Sequence, residues 1–213
     1  MRFCLRVCAI TALWFVMKCT ATAQADVPRT ADGDGALVGS GWPLPAPVQL
    51  EIFCEPQCPY CAQLESTYGD RIATDLASGR LAITYRWLTF LDDKHHNDVS
   101  ALVGNALFLA ADPTTSATAY QAFVQDLYHH QSADGPNNGD VAAMARESGI
   151  PDVVADRIAA GDRVVDTAAI NDANRARLRQ VNQENPSTPT VYDLKANKLV
   201  DTQDPGWLDA LSS

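Results

Sequence analysis

Cys58-Pro59-Tyr60-Cys61 stands where two patterns meet: an apolar, strand-like run from Val48 to Phe53 ends just before it, and a helix-like run begins inside it. At a strand-to-helix junction this spacing points to thiol redox chemistry. With Cys58 as the N-cap, Pro59 falls at the first helical position, where its missing N–H costs nothing, and Cys61 falls at the third. The Cys58 sulfur then faces backbone N–H groups that have no partner inside the helix, and the positive end of the helix dipole. Both favour thiolate over thiol, and the thiolate is the reactive species. Three residues along a helix also bring two side chains together, so a Cys58–Cys61 disulfide can close across one turn. Cys58, at the exposed cap, is expected to attack; Cys61, on the buried side of the helix, is expected to resolve the mixed disulfide.

Other chemistries fit these residues less well. A c-type haem attachment needs His after the second cysteine, and position 62 is Ala. Structural zinc needs four ligands, normally with a second cysteine or histidine pair, and none stands at a suitable spacing. His95-His96 and His129-His130 have no acidic or cysteine partner at ligand-like spacing and read as solvated helix-end or loop histidines. No metal and no organic cofactor is expected. Glu55, three residues before Cys58, is placed to accept the Cys61 proton during exchange; a surface charge is the alternative. Cys54 reads either as a small buried hydrophobe at a strand end or as a third redox-active thiol. Trp87 and Trp207 read as core anchors.

The chain of 213 residues opens with Arg2 and Arg6, an apolar core from Val7 to Met17, and Ala23-Gln24-Ala25 as a small-x-small cleavage site. Residues 1–25 therefore read as a secretory signal peptide, which implies an exported, periplasmic or extracytoplasmic protein. An uncleaved membrane anchor and a lipid on Cys19 are the lesser alternatives, because the core is short and Lys18 is not small. Cleavage would remove Arg2, Arg6 and Lys18 and no acid, taking the net charge from −10 to −13. Such an acidic chain is a poor partner for nucleic acid. It would also remove Cys4, Cys8 and Cys19, leaving Cys54, Cys58 and Cys61 clustered within eight residues. Disulfides that staple a secreted fold come in even numbers spread along the chain, so these three read as chemical. The spacing Cys54-x-x-x-Cys58-x-Tyr60-Cys61 is similar to the iron–sulfur signature of radical-SAM enzymes. A radical-SAM barrel does not fit the remaining length, and an oxidising setting is hostile to such a cluster.

The rest of the chain must hold this centre. Residues 26–47, rich in Gly, Pro, Ala and Asp, read as a flexible linker, with Trp42 and Leu44 docking at its end and the ordered domain starting near Pro47. Cys61, Leu64, Tyr68, Ile72 and Leu76 make one helix face, with Gly79 as its cap. Leu81, Ile83, Tyr85 and Trp87 alternate with Ala82, Thr84 and Arg86, which predicts a strand with one buried face. From Asp92 to about Gly161 the pattern is helical, with Asn97 or Asp98 as an N-cap and a stop at Asp112-Pro113. A longer helix is expected from about Arg163 to before Pro186, then strands Thr190–Leu194 and Lys198–Val200 joined at Asn197, and a short helix carrying Trp207, Leu208 and Leu211.

Gln57-Cys58-Pro59-Tyr60-Cys61 at the helix junction, the helical insertion, and the later Pro186-Ser187-Thr188-Pro189-Thr190-Val191 together resemble the DsbA-like thiol:disulfide oxidoreductases of the thioredoxin superfamily. The family often carries an aromatic before that Gln, where this chain has Pro56. The resemblance implies an α/β, thioredoxin-like fold with an inserted helical domain, built from residues 48–91 and 163–213 with 92–162 as the insertion. It implies a cis Thr188–Pro189 bond whose loop packs on the disulfide, and substrate binding by Thr188, Pro189, Pro59 and Tyr60. It implies dithiol–disulfide exchange with exported cysteine-containing client proteins and a membrane or soluble redox partner that resets the pair. Donor, reductase and isomerase share this motif. An exported binding or chaperone module with an inert Cys58–Cys61 disulfide is the reading from another class.

Overall fold

The computed structural model describes residues 29–30, 32–39, 45–132 and 134–211. The signal-peptide and linker residues up to 28, and the Trp42 and Leu44 docking, lie outside the described residues. In chain order the elements are β1 (Ala36–Val38), β2 (Val48–Cys54), α1 (Pro59–Ala77), β3 (Leu81–Trp87), α2 (Leu91–His95), α3 (Val99–Ala110), α4 (Ala117–His129), α5 (Asn138–Glu147), α6 (Asp152–Ala159), α7 (Thr167–Val181), β4 (Thr190–Asp193), β5 (Lys198–Leu199) and α8 (Trp207–Leu211).

The strands form one sheet in the order β1-β3-β2-β4-β5, with β2 and β3 parallel and the other neighbours antiparallel. The parallel pair is joined by α1, as a parallel connection requires. Helices α2 to α6 are inserted between β3 and α7, and the whole is the expected α/β, thioredoxin-like arrangement with a helical insertion. Alternation along β2 and β3 divides the sheet into two faces. Leu50, Ile52 and Cys54 lie beside Ile83, Tyr85 and Trp87 on the face that joins the main core with α1, α3 and α4. Phe53 points the other way, into a smaller cluster with Leu88 and Leu178 of α7.

All seven residues of β3 are buried, including Thr84 and Arg86, which corrects the expected strand with one buried face. The second face is covered because α7 lies on it and the chain before β2 lies beside it. Arg86 meets the buried Glu51 at 2.8 Å and Asp32 at 3.0 Å, and Arg177 of α7 closes on Glu51 at 2.9 Å. Burial of the Glu51 carboxylate is tolerable because two guanidiniums face it. Asn174 of α7 donates to the carbonyls of Trp87 and Asp34, both at 2.9 Å.

Residues 29–30 and 32–38 also depart from the flexible reading of the linker. Ala36, Leu37 and Val38 pair with Tyr85, Thr84 and Ile83, and Arg29 donates to the carbonyls of Phe108 and Val164. A three-residue strand carries little local signal, and its order comes from the open edge of β3. Gly39 lets the chain leave that edge: its φ is +76°, and a Cβ there would stand 2.6 Å from Leu76 and 2.8 Å from the Leu81 carbonyl oxygen.

Helix α7 begins at Thr167, not near Arg163, because the Asp166 carboxylate accepts the N–H groups of Ala168 and Ala169 at 3.1 Å. Helix α3 starts after Asp98, Gly79 at φ +70° follows α1, and Asn197 at φ 50° turns β4 into β5. The histidine pairs stand at the ends of α2 and α4. Trp87 and Trp207 are buried; Trp87 stacks on Tyr85 and donates to the Tyr120 hydroxyl at 3.0 Å. Among the described residues no helix is long and apolar enough to cross a membrane.

Candidate active site

Strand β2 ends at Cys54, and a turn closed by the Cys58 N–H on the Glu55 carbonyl at 3.0 Å delivers the chain to α1. Cys58 is the N-cap with φ −77° and ψ 118°, and Pro59 opens the helix. The Cys58 carbonyl already accepts from Cys61 and Ala62 at 3.1 and 3.2 Å. Local sequence accounts for all of this: a fixed proline φ, a residue that tolerates extended backbone before it, and a helix face that starts at Cys61.

The three thiols differ in access. Cys58 keeps 5% of its surface, whereas Cys61 and Cys54 are fully enclosed. The Cys58 sulfur donates to the Thr188 carbonyl oxygen at 3.4 Å, and the Thr188–Pro189 bond is cis, as the resemblance implied. That turn is held by the Thr190 hydroxyl donating to the Ser187 carbonyl at 2.7 Å and by Asn182 donating to the Thr190 hydroxyl at 3.2 Å.

A groove of about 830 Å³ opens on one side of this contact, with Cys58, Phe90, Leu91, Lys94 and His95 among its walls. On the other side a groove of about 530 Å³ is lined by Gln63, Thr67, Tyr68, Pro189 and Gln203. Tyr60 and Thr188 border both grooves, and Tyr60 is 68% exposed. Pro59 borders the larger one. The structure thus sets Cys58, Pro59, Tyr60 and Thr188 around the larger groove and Tyr60, Thr188 and Pro189 around the smaller one.

Glu55 is not the surface charge that was one of its two sequence readings. It is completely buried, and its carboxyl accepts from the Gln57 N–H at 2.7 Å and from the Ser100 hydroxyl of α3. Burial pushes it up to about 7 against those two bonds. The Glu55 group that the Cys61 thiol meets is the backbone. A surface charge is therefore excluded, and the carboxyl is committed to the turn before Cys58.

The ionisation of Cys58 and Cys61 follows from burial and from their neighbours. The neighbouring Cys61 thiol and burial push Cys58 up, while the Thr188 contact and the Cys61 backbone pull it down. Burial and the Cys54 thiol push Cys61 well above its ordinary value. The helix N-terminus that favours a Cys58 thiolate thus works against a dry, paired dithiol.

The supporting shell was not legible in sequence. The Gln57 carboxamide donates to Asp92, Asn97 and Ser100 at 2.8, 3.1 and 2.8 Å, and accepts from Asn97 at 2.9 Å. His95 meets the same carboxamide oxygen at 3.0 Å. From the end of α4, Gln131 donates to the Pro56 and Cys58 carbonyls at 2.6 and 3.3 Å. The inserted helices therefore grip the turn that carries Cys58. Gln57 belonged to the recognised motif, but its partners lie 35 to 43 residues away.

Compared with known proteins, residues 43–201 match a family model described as thioredoxin. The serine/threonine-protein kinases PknE of Mycobacterium tuberculosis and Mycobacterium bovis are 30% identical over 184 residues, 84% of this chain and 31% of theirs. The chain spans about a third of the length of these curated relatives. Among solved structures, the thiol-disulfide oxidoreductase MdbA of Corynebacterium matruchotii aligns with a TM-score of 0.71 at 23% identity, over 87% of this chain and 92% of its own. Reduced DsbA of Mycobacterium tuberculosis aligns at 0.63 and 22% identity, over 84% and 91%. At these identities the shared property is the fold.

Proposed function

The chain belongs to the thioredoxin family, and on that premise we propose that it is an exported thiol:disulfide oxidoreductase, exchanging its Cys58–Cys61 pair with cysteines of exported client proteins as a disulfide donor. The observation that supports this reading is the contact of the Cys58 sulfur with the Thr188 carbonyl, which holds the most accessible thiol in the wall of the larger groove, beside a residue that borders both grooves. A client thiolate attacks Cys58 of the disulfide, the Cys58–Cys61 bond breaks, and Cys61 leaves with the electron pair and takes a proton. The client's second thiolate then attacks its own mixed-disulfide sulfur, and Cys58 leaves reduced. Two electrons and two protons have passed to the pair, and a membrane or soluble redox partner removes them.

Residues 48–91 and 163–213 act as the scaffold for this chemistry and 92–162 as the insertion that walls the larger groove. Thr188 and Pro189, with Pro59 and Tyr60, receive the client backbone. Export rests on the signal-peptide pattern of residues 1–25. The donor direction rests on the helix N-terminus at Cys58, which stabilises the reduced form as thiolate and so makes the disulfide the stronger oxidant. Burial and pairing of the thiols act against that, and no histidine stands between them, so a milder oxidant than the strongest members is expected.

Equilibration with glutathione buffers followed by alkylation tests the direction. The expected potential lies above that of thioredoxin, ~ −270 mV. A value at or below it overturns the donor reading in favour of a reductase, and a pair that never exchanges overturns the activity in favour of an inert disulfide.

A further inference from the structure

Three sulfurs meet where β2 turns into α1. Cys54 is the last residue of β2, Cys61 lies in the first turn of α1, and both are fully buried in the same core. The turn through Glu55 to Gln57 folds the helix start back over the strand end. Alternation along β2 puts Cys54 on the face that packs on α1, and Cys61 is buried in the first turn of that helix within the same core, so the inner member of the pair has Cys54 on one side and Cys58 on the other.

We propose that the oxidised protein interconverts between two internal disulfides, Cys58–Cys61 and Cys54–Cys61. The Cys54 thiolate attacks the Cys61 sulfur, the Cys54–Cys61 bond forms as the Cys58–Cys61 bond breaks, and the electron pair leaves on Cys58. The proton given up by Cys54 ends on Cys58, so no oxidant or reductant is needed. Cys58 is a good leaving group because it departs at the N-terminus of α1. Once Cys61 is tied to Cys54, the neighbouring thiol that opposed a Cys58 thiolate is gone. The product keeps its oxidising equivalent out of solvent and presents Cys58 as a free nucleophile. In that isomer the site cannot donate a disulfide but can attack one in a client, the first step of reduction or isomerisation.

This inference rests on the exchange role proposed for Cys58 and Cys61. Chymotryptic cleavage after Phe53 and Tyr60 separates Cys61 from a peptide that holds both Cys54 and Cys58, and fragmentation of that peptide in the mass spectrometer shows which of the two is linked to Cys61 and which is alkylated. Oxidised wild type, acid-quenched and alkylated, is expected to contain a minor species, about 1–10%, with Cys58 alkylated and Cys54 linked to Cys61. Cys54→Ala should abolish it. Cys58→Ser treated with diamide should lose both thiols to a Cys54–Cys61 link while keeping its circular dichroism spectrum. If wild type holds Cys58–Cys61 alone and folded Cys58→Ser keeps both thiols, the inference is overturned and the exchange role stands. If wild type forms no Cys58–Cys61 disulfide, the exchange role itself falls. Should Cys58→Ser not fold, the comparison of wild type with Cys54→Ala decides.

Discussion

The Cys58 sulfur and the Thr188 carbonyl oxygen lie 3.4 Å apart although 130 residues of chain separate them. The start of α1 and the turn before β4 thus share one surface. Thr188, with Tyr60, borders both grooves, and Cys58 lies in the wall of the larger one.

Tyr60 borders both grooves and is mostly exposed. Tyr60→Ala should leave the thermal midpoint unchanged, as surface substitutions stay within about 0.5 kcal/mol. The KM for a cysteine-containing peptide should rise about threefold to tenfold, a cost of roughly 1 kcal/mol. Exchange rates measured against peptide concentration check this, and an unchanged KM contradicts it.

Glu65, one turn beyond Cys61, is enclosed with its carboxyl pushed up to about 7 by burial. A protonated Glu65 can donate to the Tyr85 hydroxyl, which donates to the Gln121 carbonyl at 2.7 Å, while the Gln121 amide returns to Glu65 at 2.7 Å. Unfolded, the group titrates near 4.5, so between 4.5 and about 7 the folded state holds the extra proton and stability falls as pH rises. The loss above that window is on the order of 3 kcal/mol. Glu65→Gln keeps the ring without titrating. It should stabilise the protein at pH 8 and remove roughly half of the slope, since Glu55 titrates in the same direction. Denaturant midpoints at pH 5 and pH 8 give the answer, and an unchanged slope contradicts it.

Gln57→Ala removes the carboxamide that ties the turn before Cys58 to α2 and α3. Its partners lose their bonds, which should cost about 1–3 kcal/mol. Alkylation of Cys58 should quicken as the turn loosens. Denaturant melts and thiol labelling measure the two effects, and a variant as stable and as slow to label as wild type would refute the coupling.

Elements with their own local signals were legible in the sequence: the Cys58 cap and Pro59, the Gly79 stop, the existence of strand β3 though not the burial of both its faces, and the Asp98 and Asn197 boundaries. Features set by distant partners were not. The strand Ala36–Val38 exists because β3 offers an edge. Arg86 is buried because Glu51, Asp32 and α7 come to it, and Glu55 because Ser100 does. A carboxylate is read from sequence as surface until the groups that enclose it are known, and those for Glu65 lie 20 and 56 residues away.

The central claim, that Cys58 attacks and Cys61 resolves, is tested most directly by incubating single-cysteine variants with a disulfide-bonded peptide and weighing the intact proteins. Cys61→Ser should accumulate a reducible peptide adduct on Cys58, because the resolving thiol is missing, and Cys58→Ser should accumulate none. An adduct on Cys58→Ser instead, or on neither variant, would contradict the account.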